Sequence, residues 1–433
     1  MVSKNSLFAG LILALVWAAP SFASDSSALP SNRPLTLKEC VGYALSHHGS
    51  VLSAAQDLKS GSAGITQARA GYMPKLSVGS YYNNDGQSSN GNYGGNNNNT
   101  NGIQSSMAIT ETLYDGGTTQ SAIRQAQADE KVLSSQLDLE QQDRALKVTE
   151  AYFNALKAKH LADIAQQTVT QSEEQLKLIK ARIDAGDAAS VDVYPVEVQL
   201  ANAKLTKIQR DNSARTAWNT IRNEMGLSSG PELKLEDVQE PSTDAPALPS
   251  CIETALSSRP EIAKTSAQID SAEAALSQAK RETLPVPTAG VSYGVGLGGT
   301  NYNNQWTVGV GVSLNIFDGG AAKAAVDSNN AKVDSTKILA EQTKKDITTE
   351  VEQSYLNLTS SFEQLSASKS NVTMAQKNLE VAKAKYQQGL AIPLEITTAQ
   401  TSYSEALANN AQSLYDSYIA RAQLDKAMGK KGY

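Results

Sequence analysis

Bulky apolar residues and small polar residues alternate strictly in two neighbouring stretches of the chain. In WTVGVGVSLNI (306–316), apolar side chains occupy every second position, with Gly, Ser, Thr or Asn between them. The preceding stretch, 289–297, alternates in the same way, and the turn-rich GLGGTNYNN (296–304) follows it as a loop. A period of two indicates β-strands, so the pattern predicts a hairpin. A less regular version occurs earlier, at 75–84 and 102–114.

Three features of these strands favour an outer membrane over one face of a soluble β-sandwich. Their lengths match the roughly 9–11 residues that cross such a membrane, and their glycine-rich face suits a polar lumen. Four strands are too few to close a membrane barrel, and lipid tolerates no open sheet edge. We therefore predict that two, three or four copies share one barrel. The third feature is a set of aromatic residues near the strand ends, which resembles an interfacial girdle: Tyr81, Tyr82, Tyr114, Trp306 and Phe317.

Long helices are predicted after each hairpin. Beyond Asp-Gly-Gly at 115–117 and 318–320, about 65–70 residues lack Gly and Pro and are rich in helix formers. At 1.5 Å per residue, each helix would be about 100 Å long. Return helices are expected at about 190–225 and 393–428, and one further helix precedes each hairpin. Thr36 and Glu39 form a capping box at the start of the first of these.

The sequence contains this unit of helix, hairpin, long helix and return helix twice. At an offset of 203 residues, LYDGG (113–117) aligns with IFDGG (316–320), and Tyr152 aligns with Tyr355. Upstream of these motifs the offset is 211, which pairs Cys40 with Cys251. The first copy thus has eight extra residues (211 minus 203), and its loop contains the Asn/Gly-rich segment 83–102. The chain is therefore a tandem duplication, and the duplication determines the predicted architecture.

The N-terminus has the order of a secretory signal peptide. Lys4 precedes an apolar run at 7–18 and the small-residue motif at 21–23, so we expect cleavage after Ala23. A membrane anchor is the alternative, but the run is shorter than the roughly 20 apolar residues needed to span. No cysteine follows the cleavage site, which argues against a lipid anchor. The predicted divisions are the signal peptide 1–23, first repeat 24–227, inter-repeat segment 228–249, second repeat 250–429 and tail 430–433.

Composition and charge exclude several functions. A net charge of −6 and a pI near 5.3 argue against a nucleic-acid partner, which would require a basic face. Cys40 and Cys251 are equivalent in the two repeats and are expected to lie apart as buried free thiols rather than as a disulfide. His47-His48 would point in different directions on a helix, and GVGLGG (294–299) lacks the helix that a nucleotide site needs. We predict no enzyme activity, no metal and no cofactor.

Taken together, these features resemble the TolC-type outer-membrane efflux protein family. The match rests on the signal peptide, the duplication, LYDGG and IFDGG, and the turns AGDAASVDV (185–193) and QGLAIPLEI (388–396). The resemblance implies an α+β homotrimer with a shared 12-stranded barrel, four strands from each chain, and a coiled-coil tunnel in the Gram-negative periplasm. It implies a passive exit duct for tripartite efflux or type I secretion. Implied partners are a periplasmic adaptor, an inner-membrane transporter and outer-membrane lipid.

The resemblance also assigns roles to the two glycine turns. They would form the periplasmic tip, and Tyr386 and Asp192 would form a hydrogen-bonded latch there. The arginine that the family places beside this latch is Ala391 here, which weakens the expected latch. The residues expected to face the adaptor are Gly186, Gly389, Leu390 and Pro393.

Acidic residues lead to the same region independently of the family. Asp184, Asp187, Asp192 and Glu395 flank the two turns, and three copies would arrange them in rings that favour cations. The alternative is that they are solvated turn acids or helix N-terminal charges, and we prefer it for Asp184 and Asp187. We expect Glu395 to act in the aperture. A second family acid is replaced by Thr398, so each chain would contribute one acid to that ring.

Two other functions account for part of the pattern. A trimeric coiled-coil surface adhesin with a small shared barrel ends in its strands, whereas this chain ends in a predicted helix and places strands internally, twice. A periplasmic coiled-coil scaffold leaves the alternating hairpins unexplained. The sequence does not identify the cargo, because drug efflux, metal efflux and protein secretion would use the same conduit.

Overall fold

The structure is a computed structural model that describes residues 33–83, 102–228, 234–238, 246–298 and 301–430. The predicted signal peptide, the Asn run at 96–99 and most of the short C-terminal tail lie outside these residues. No helix in the described ranges has both the length and the apolar character to cross a membrane.

Each repeat folds as two helices, two strands and two further helices. The first repeat contains α1 (Leu37–His47), α2 (Gly49–Arg69), β1 (Lys75–Asn83), β2 (Gly102–Thr112), α3 (Thr118–Asp184) and α4 (Val193–Glu224). The second contains α5 (Leu248–Ser258), α6 (Pro260–Arg281), β3 (Val286–Gly298), β4 (Asn301–Ser313), α7 (Ala321–Gln387) and α8 (Pro393–Ala427). The duplicated order agrees with the sequence offsets.

The two long helices have the predicted size. α3 and α7 each contain 67 residues, which corresponds to about 100 Å of helix. α3 packs against α2 and α6, and also against α4 and α8; α7 packs against α6 and α8. Because their partners are much shorter, each long helix changes neighbours along its length. We call the level at which α1, α5 and the ends of α4 and α8 meet the waist.

The helix before each hairpin is broken, whereas the sequence predicts a continuous one. His48 separates α1 from α2 with φ −71° and ψ 133°, and Arg259 separates α5 from α6 with φ −71° and ψ 131°. The turn at the end of the return helix packs against each break: a Cβ on Gly226 would lie 3.3 Å from the His48 Cα. A Cβ on Gly429 would lie 3.0 Å from the Arg259 backbone nitrogen. The capping box of Thr36 and Glu39 is confirmed.

The strands form one antiparallel sheet in the order β1-β2-β3-β4. In the second repeat they differ from the prediction, because residues 296–298 and 301–304 of the expected loop belong to strands. The predicted strand 306–316 ends at Ser313, since Ser313 pairs with Val286, the first residue of β3, and later residues have no partner on that strand. The join between the repeats is a ladder of β2 and β3, from Gly102–Gly298 to Thr112–Thr288.

The buried core lies in three separate clusters. Two are at the waist, and each holds one of the cysteines as a buried free thiol, as predicted. Burial raises the pKa of the Cys40 thiol to about 12, so it is protonated at neutral pH. The third cluster joins the far ends of α3, α4, α7 and α8.

Part of the inter-repeat segment is ordered against the waist. Leu235 forms a parallel bridge with Leu35, and both side chains are buried in the first waist cluster. The Tyr152 hydroxyl donates towards the Leu35 carbonyl at 3.1 Å and the Glu236 carbonyl at 2.6 Å. Asp237 accepts from the Tyr415 hydroxyl at 3.1 Å and lies 2.8 Å from His160. The composition of this segment predicts irregular chain; at 234–238 it is instead anchored.

Candidate functional site

One face of the four-stranded sheet is apolar and exposed across all four strands. Side chains two residues apart point to the same face, and the ladder register aligns these positions from strand to strand: Leu76 pairs with Ile109, and Val291 with Val308. Val78 is 74% exposed and Val310 is 75% exposed. Water-soluble proteins rarely expose such a surface. Its members are Leu76, Val78, Tyr82, Ile103, Met107, Ile109, Val291, Tyr293, Trp306, Val308, Val310 and Val312.

The other face of the sheet carries small and polar residues. Ser77, Gly79, Ser292 and Gly309 lie on it. Within the described chain, β1 and β4 each have a strand on one side only, so the sheet has two open edges. An apolar face, a polar face and unpaired edges together fit a segment of a larger closed wall in lipid.

The Asp-Gly-Gly motifs begin the long helices. The Asp318 carboxylate accepts from the amides of Gly320 at 2.9 Å and Ala322 at 2.7 Å. These backbone hydrogen bonds hold the pKa of Asp318 below its usual value. Both glycines have positive φ, 71° and 91°, a conformation that side chains disfavour. Asp115 makes the same bonds in the first repeat, which explains why the motif recurs.

The two predicted tip turns each end a long helix with a glycine in the left-handed conformation. Gly186 has φ 82° and Gly389 has φ 76°. In the first turn, the Asp187 amide donates to the Arg182 carbonyl at 2.8 Å, and in the second the Leu390 amide donates to the Lys385 carbonyl at 2.8 Å. This is the Schellman arrangement, and it reverses the chain towards α4 and α8.

The two turns lie together at one end of the helical region, which we call the tip (185–192 and 388–392). Their helices share the third core cluster, to which Ile179, Val196, Tyr386 and Ile396 each contribute from a different helix. Amide and hydroxyl side chains continue the contact away from the tip. They are Gln175 with Thr397 at 3.4 Å, Gln199 with Thr401 at 3.0 Å and Gln171 with Gln400 at 3.2 Å.

Arg182 connects the two turns directly. Its guanidinium carbon lies 4.6 Å from the centroid of the Tyr386 ring, and its Nη1 donates to the Tyr386 carbonyl at 3.3 Å. The Tyr386 side chain is buried, and its hydroxyl has no hydrogen-bond partner in the described part of the chain. The predicted bond from Tyr386 to Asp192 is therefore absent within one chain, because the ring packs into the cluster beneath Arg182. Sequence reasoning missed Arg182.

The predicted acids surround the tip. Asp184 is the last residue of α3 and Asp187 follows the turn glycine; both are exposed. Asp192 ends a short 3-10 turn, immediately precedes α4 and makes no side-chain cap bond. Glu395 is exposed in the first turn of α8, where an acid is favourable beside the helix N-terminus. Asp184, Asp187 and Glu395 are therefore accessible to solvent in the described chain, whereas Asp192 is half-buried.

Apolar side chains at the tip are also exposed. Pro393 is buried at the first position of α8, but Leu390, three residues before it, is 73% exposed. Such a concentration at the end of a helical assembly is typical of a protein contact surface. Further apolar side chains in the tip or within two residues of it, each more than half exposed, are Val191, Tyr194, Ile392 and Leu394.

Comparisons with known proteins agree with these features. A family model described as Outer membrane efflux protein matches residues 41–227 and 251–430. The chain is 25% identical to Outer membrane protein TolC of Escherichia coli (strain K12), over 84% of this chain and 76% of that protein. It is 21% identical to Outer membrane efflux protein BepC of Brucella suis, over 84% and 79%. A crystal structure of CusC shares the fold with a TM-score of 0.79 and 17% identity, covering 91% and 92% of the two chains.

Proposed function

The chain belongs to the outer membrane efflux protein family and is an outer-membrane exit duct, and we propose that three copies build one duct. The family is one of transport proteins rather than enzymes. Substrates pass through such a duct without chemistry, from an inner-membrane pump to the cell exterior, in efflux or type I secretion. The trimeric surface adhesin has no support among the relatives named above.

The apolar face of the sheet carries the proposal. It is continuous over four strands of 9 to 13 residues, long enough to cross the outer membrane. Lipid leaves no sheet edge unpaired, so β4 of one chain pairs with β1 of the next. The same kind of contact exists within the chain, where β2 pairs with β3. In the duplication, β2 is equivalent to β4 and β3 is equivalent to β1.

The helices supply the periplasmic wall. α3 and α7 lead away from the Asp-Gly-Gly motifs for about 100 Å, flanked first by α2 and α6 and then by α4 and α8. Three chains place six long helices around one lumen. The contact of α3 with α8 inside a chain is repeated by α7 with α4 of the next chain, because the offset of 203 residues relates the members of each pair.

The tip meets the other components. Its exposed apolar residues, with Leu390 foremost, suit a periplasmic adaptor that itself docks on an inner-membrane transporter. The turn glycines Gly186 and Gly389 leave the backbone open there, since a Cβ added at either position would meet no side chain or distant backbone atom of the described residues within 4 Å. Leu390→Asp is expected to abolish adaptor capture while leaving the trimer intact.

Glu395 contributes the charge that selects ions at the aperture. Three copies bring three carboxylates to one ring, which favours cations. Glu395→Ala is expected to lower the cation selectivity of the channel in planar bilayers. Asp187→Ala is the matched control, since Asp187 is an exposed acid of the other turn. An unchanged reversal potential in Glu395→Ala would contradict the charge ring.

The first test is cell fractionation followed by the native mass of the detergent-extracted protein. A trimer in the outer-membrane fraction is expected. A soluble periplasmic monomer would contradict the lipid-facing sheet, and the duct with it.

A further inference from the structure

We propose that Lys75 forms a ring of three cations inside the barrel of the trimer, and that this ring makes the barrel favour anionic over cationic cargo. The inference rests on the proposed trimeric duct and adds a residue that determines its specificity. Lys75 is the first residue of β1, so it lies at the end of the sheet nearest the helices. Cargo that leaves the helical tunnel for the barrel therefore passes this level.

The strand register places Lys75 on the polar face of the sheet. Lys75 pairs with Thr110 of β2. Thr110 in turn pairs with Gly290, and Gly290 pairs with Gly309. Directly opposed residues of neighbouring strands share a face, so these four positions form one row across the sheet. Because the other face is apolar and suited to lipid, the row faces the lumen.

The two glycines of this row leave the lumen open beside the lysine. Neither has a positive φ, so the backbone does not require glycine there. A Cβ on Gly309 would meet no atom of the described residues within 4 Å, and one on Gly290 would lie 3.7 Å from the Ile109 carbonyl oxygen, an ordinary contact. Glycine inside a strand weakens the strand. Packing and backbone geometry thus leave the glycines unexplained, whereas an unobstructed lumen at the level of Lys75 accounts for them.

Lys75 carries the charge on the lumen face of the described strands. These strands contain two charged residues, Lys75 and Glu111, and Glu111 belongs to the opposite face because it directly follows Thr110. Lys75 is exposed and forms no hydrogen bond or ion pair with the described residues. The carboxylates of the nearby Asp-Gly-Gly motifs, Asp115 and Asp318, accept backbone amides instead. The positive charge is therefore available to ions in the lumen.

The ring is narrow enough for its field to reach the axis of the barrel. Twelve strands, four from each chain, spaced by about 4.8 Å and tilted by about 40°, close with a backbone radius of about 12 Å. An extended lysine brings its ammonium to roughly 6 Å from the axis, which is within the screening length of about 8 Å at physiological salt. Three such charges raise the concentration of a monovalent anion on the axis about fivefold and lower that of a cation as much.

The lysine ring and the acids of the tip act independently. The long helices separate them by about 100 Å, many times the screening length. A change at one ring therefore leaves the local ion concentrations at the other unchanged.

Reversal potentials of the purified trimer in planar bilayers under a dilute KCl gradient test the ring. Lys75→Gln is expected to shift the permeability ratio at least about fivefold from chloride towards potassium, and Lys75→Glu should shift it further. Glu111→Gln is the matched control, because it removes the other charge of the strands from the lipid-facing side. It should leave the ratio unchanged. Equal ratios in Lys75→Gln and the wild type, or a larger shift in Glu111→Gln, would overturn the proposal.

A second pair of variants separates charge from bulk in the same row. Gly309→Asp places a carboxylate at the level of Lys75 and is expected to cancel the preference for anions. Gly309→Asn adds a neutral side chain of the same size and should keep that preference, with the trimer of each variant confirmed by native mass. Equal permeability ratios in these two variants would show that charge at this level does not select ions, and would overturn the ring.

Block by hexacyanoferrate(II) added on the barrel side distinguishes this ring from the tip. The probe has four negative charges, so Lys75→Gln should weaken its block at least about tenfold. Glu395→Ala should leave the block unchanged. Block that is equally strong in Lys75→Gln and the wild type would contradict the ring. If the wild-type trimer forms no channel at all, the proposed duct function fails instead, so the two failures are distinguishable.

Discussion

Replacing Tyr152 by Phe removes one hydroxyl from the waist and nothing else. Burial raises the pKa of the Tyr152 phenol, so the group is a neutral donor. It donates towards two carbonyls, of Leu35 and Glu236, which belong to the two strands of the parallel bridge. We therefore expect Tyr152→Phe to loosen the inter-repeat segment at 234–238 while leaving the packing of the ring in place.

The size of the destabilisation depends on which hydrogen bonds the two carbonyls keep in Tyr152→Phe. The Leu35 carbonyl still accepts from the Glu236 amide at 3.0 Å, so it stays satisfied. The Glu236 carbonyl loses its 2.6 Å bond. A net hydrogen bond contributes about 0.5–1.5 kcal/mol, and a buried acceptor left unsatisfied adds to the loss. We expect a cost of about 1.4 kcal/mol for local detachment, which is about a tenfold increase in the detached population.

Trypsin cleavage after Lys234 measures that population. The Lys234 carbonyl accepts from the Leu35 amide at 2.7 Å, so the protease reaches the bond only after the segment detaches. When reclosing is faster than cleavage, the cleavage rate follows the free energy of opening. Tyr355→Phe is the matched control, because the Tyr355 hydroxyl has no hydrogen bond in the described residues and is its repeat equivalent. Equal cleavage rates in both variants would refute the anchoring role of Tyr152.

Three further predictions concern groups outside the tip. Gly117→Ala should lower the free energy of unfolding by about 1–2 kcal/mol more than Gly320→Ala, measured by denaturant titration, because the added Cβ would clash with the Arg281 Nη1 and displace it from the Gly116 carbonyl; equal losses would contradict this. Cys40 should resist maleimide at pH 8 until the protein unfolds, since burial raises its pKa to about 12; rapid labelling of the native protein would contradict its burial. Asp318 has a lowered folded-state pKa, so its contribution is present above the unfolded-state pKa and is lost as the pH falls through the folded one. Acid should thus destabilise the wild type more than Asp318→Asn, and parallel denaturation profiles would contradict this.

Local features of the sequence predict the repeating units but not their contacts. The strands follow from a period of two, and the long helices from an interval without Gly or Pro, which are properties of the segment itself. The breaks at His48 and Arg259 depend on the Gly226 and Gly429 turns packing against them, and those turns are distant in the chain. Pro260 is a local indication of the second break.

Like the helix breaks, the side-chain contacts at the tip and the waist join residues that are distant in sequence. Arg182 is an ordinary basic residue in a last helical turn, and only the fold places it over Tyr386. Leu235 is buried although the inter-repeat segment is rich in proline and acidic residues, because Leu35 and Tyr152, which are distant in sequence, lie in the same core cluster. The duplication offers the best indirect indication, since it predicts that both tip turns share one end.

The duplication also shows where the repeats have ceased to be equivalent. Both breaks at the waist are held by a buried arginine, but a different element supplies it in each repeat. In the first, Arg144 of α3 contacts Ser50 at 3.2 Å and forms an ion pair with Glu224. In the second, Arg259 lies in the break and pairs with Glu261 and Glu350.

The equivalents of these groups explain the exchange. Arg144 corresponds to Ile347, which is buried in the second waist cluster, and Arg259 corresponds to His48. Glu261 occupies the position of Ser50. In the second repeat, therefore, the arginine lies in the break itself and its carboxylate partner lies on the following helix, α6. A buried arginine is costly unless it is paired. Each repeat therefore has its own arginine together with the carboxylates that pair with it. Copying one repeat's arginine into the other would bury an unpaired charge, and the waist would tolerate the exchange only as a complete set.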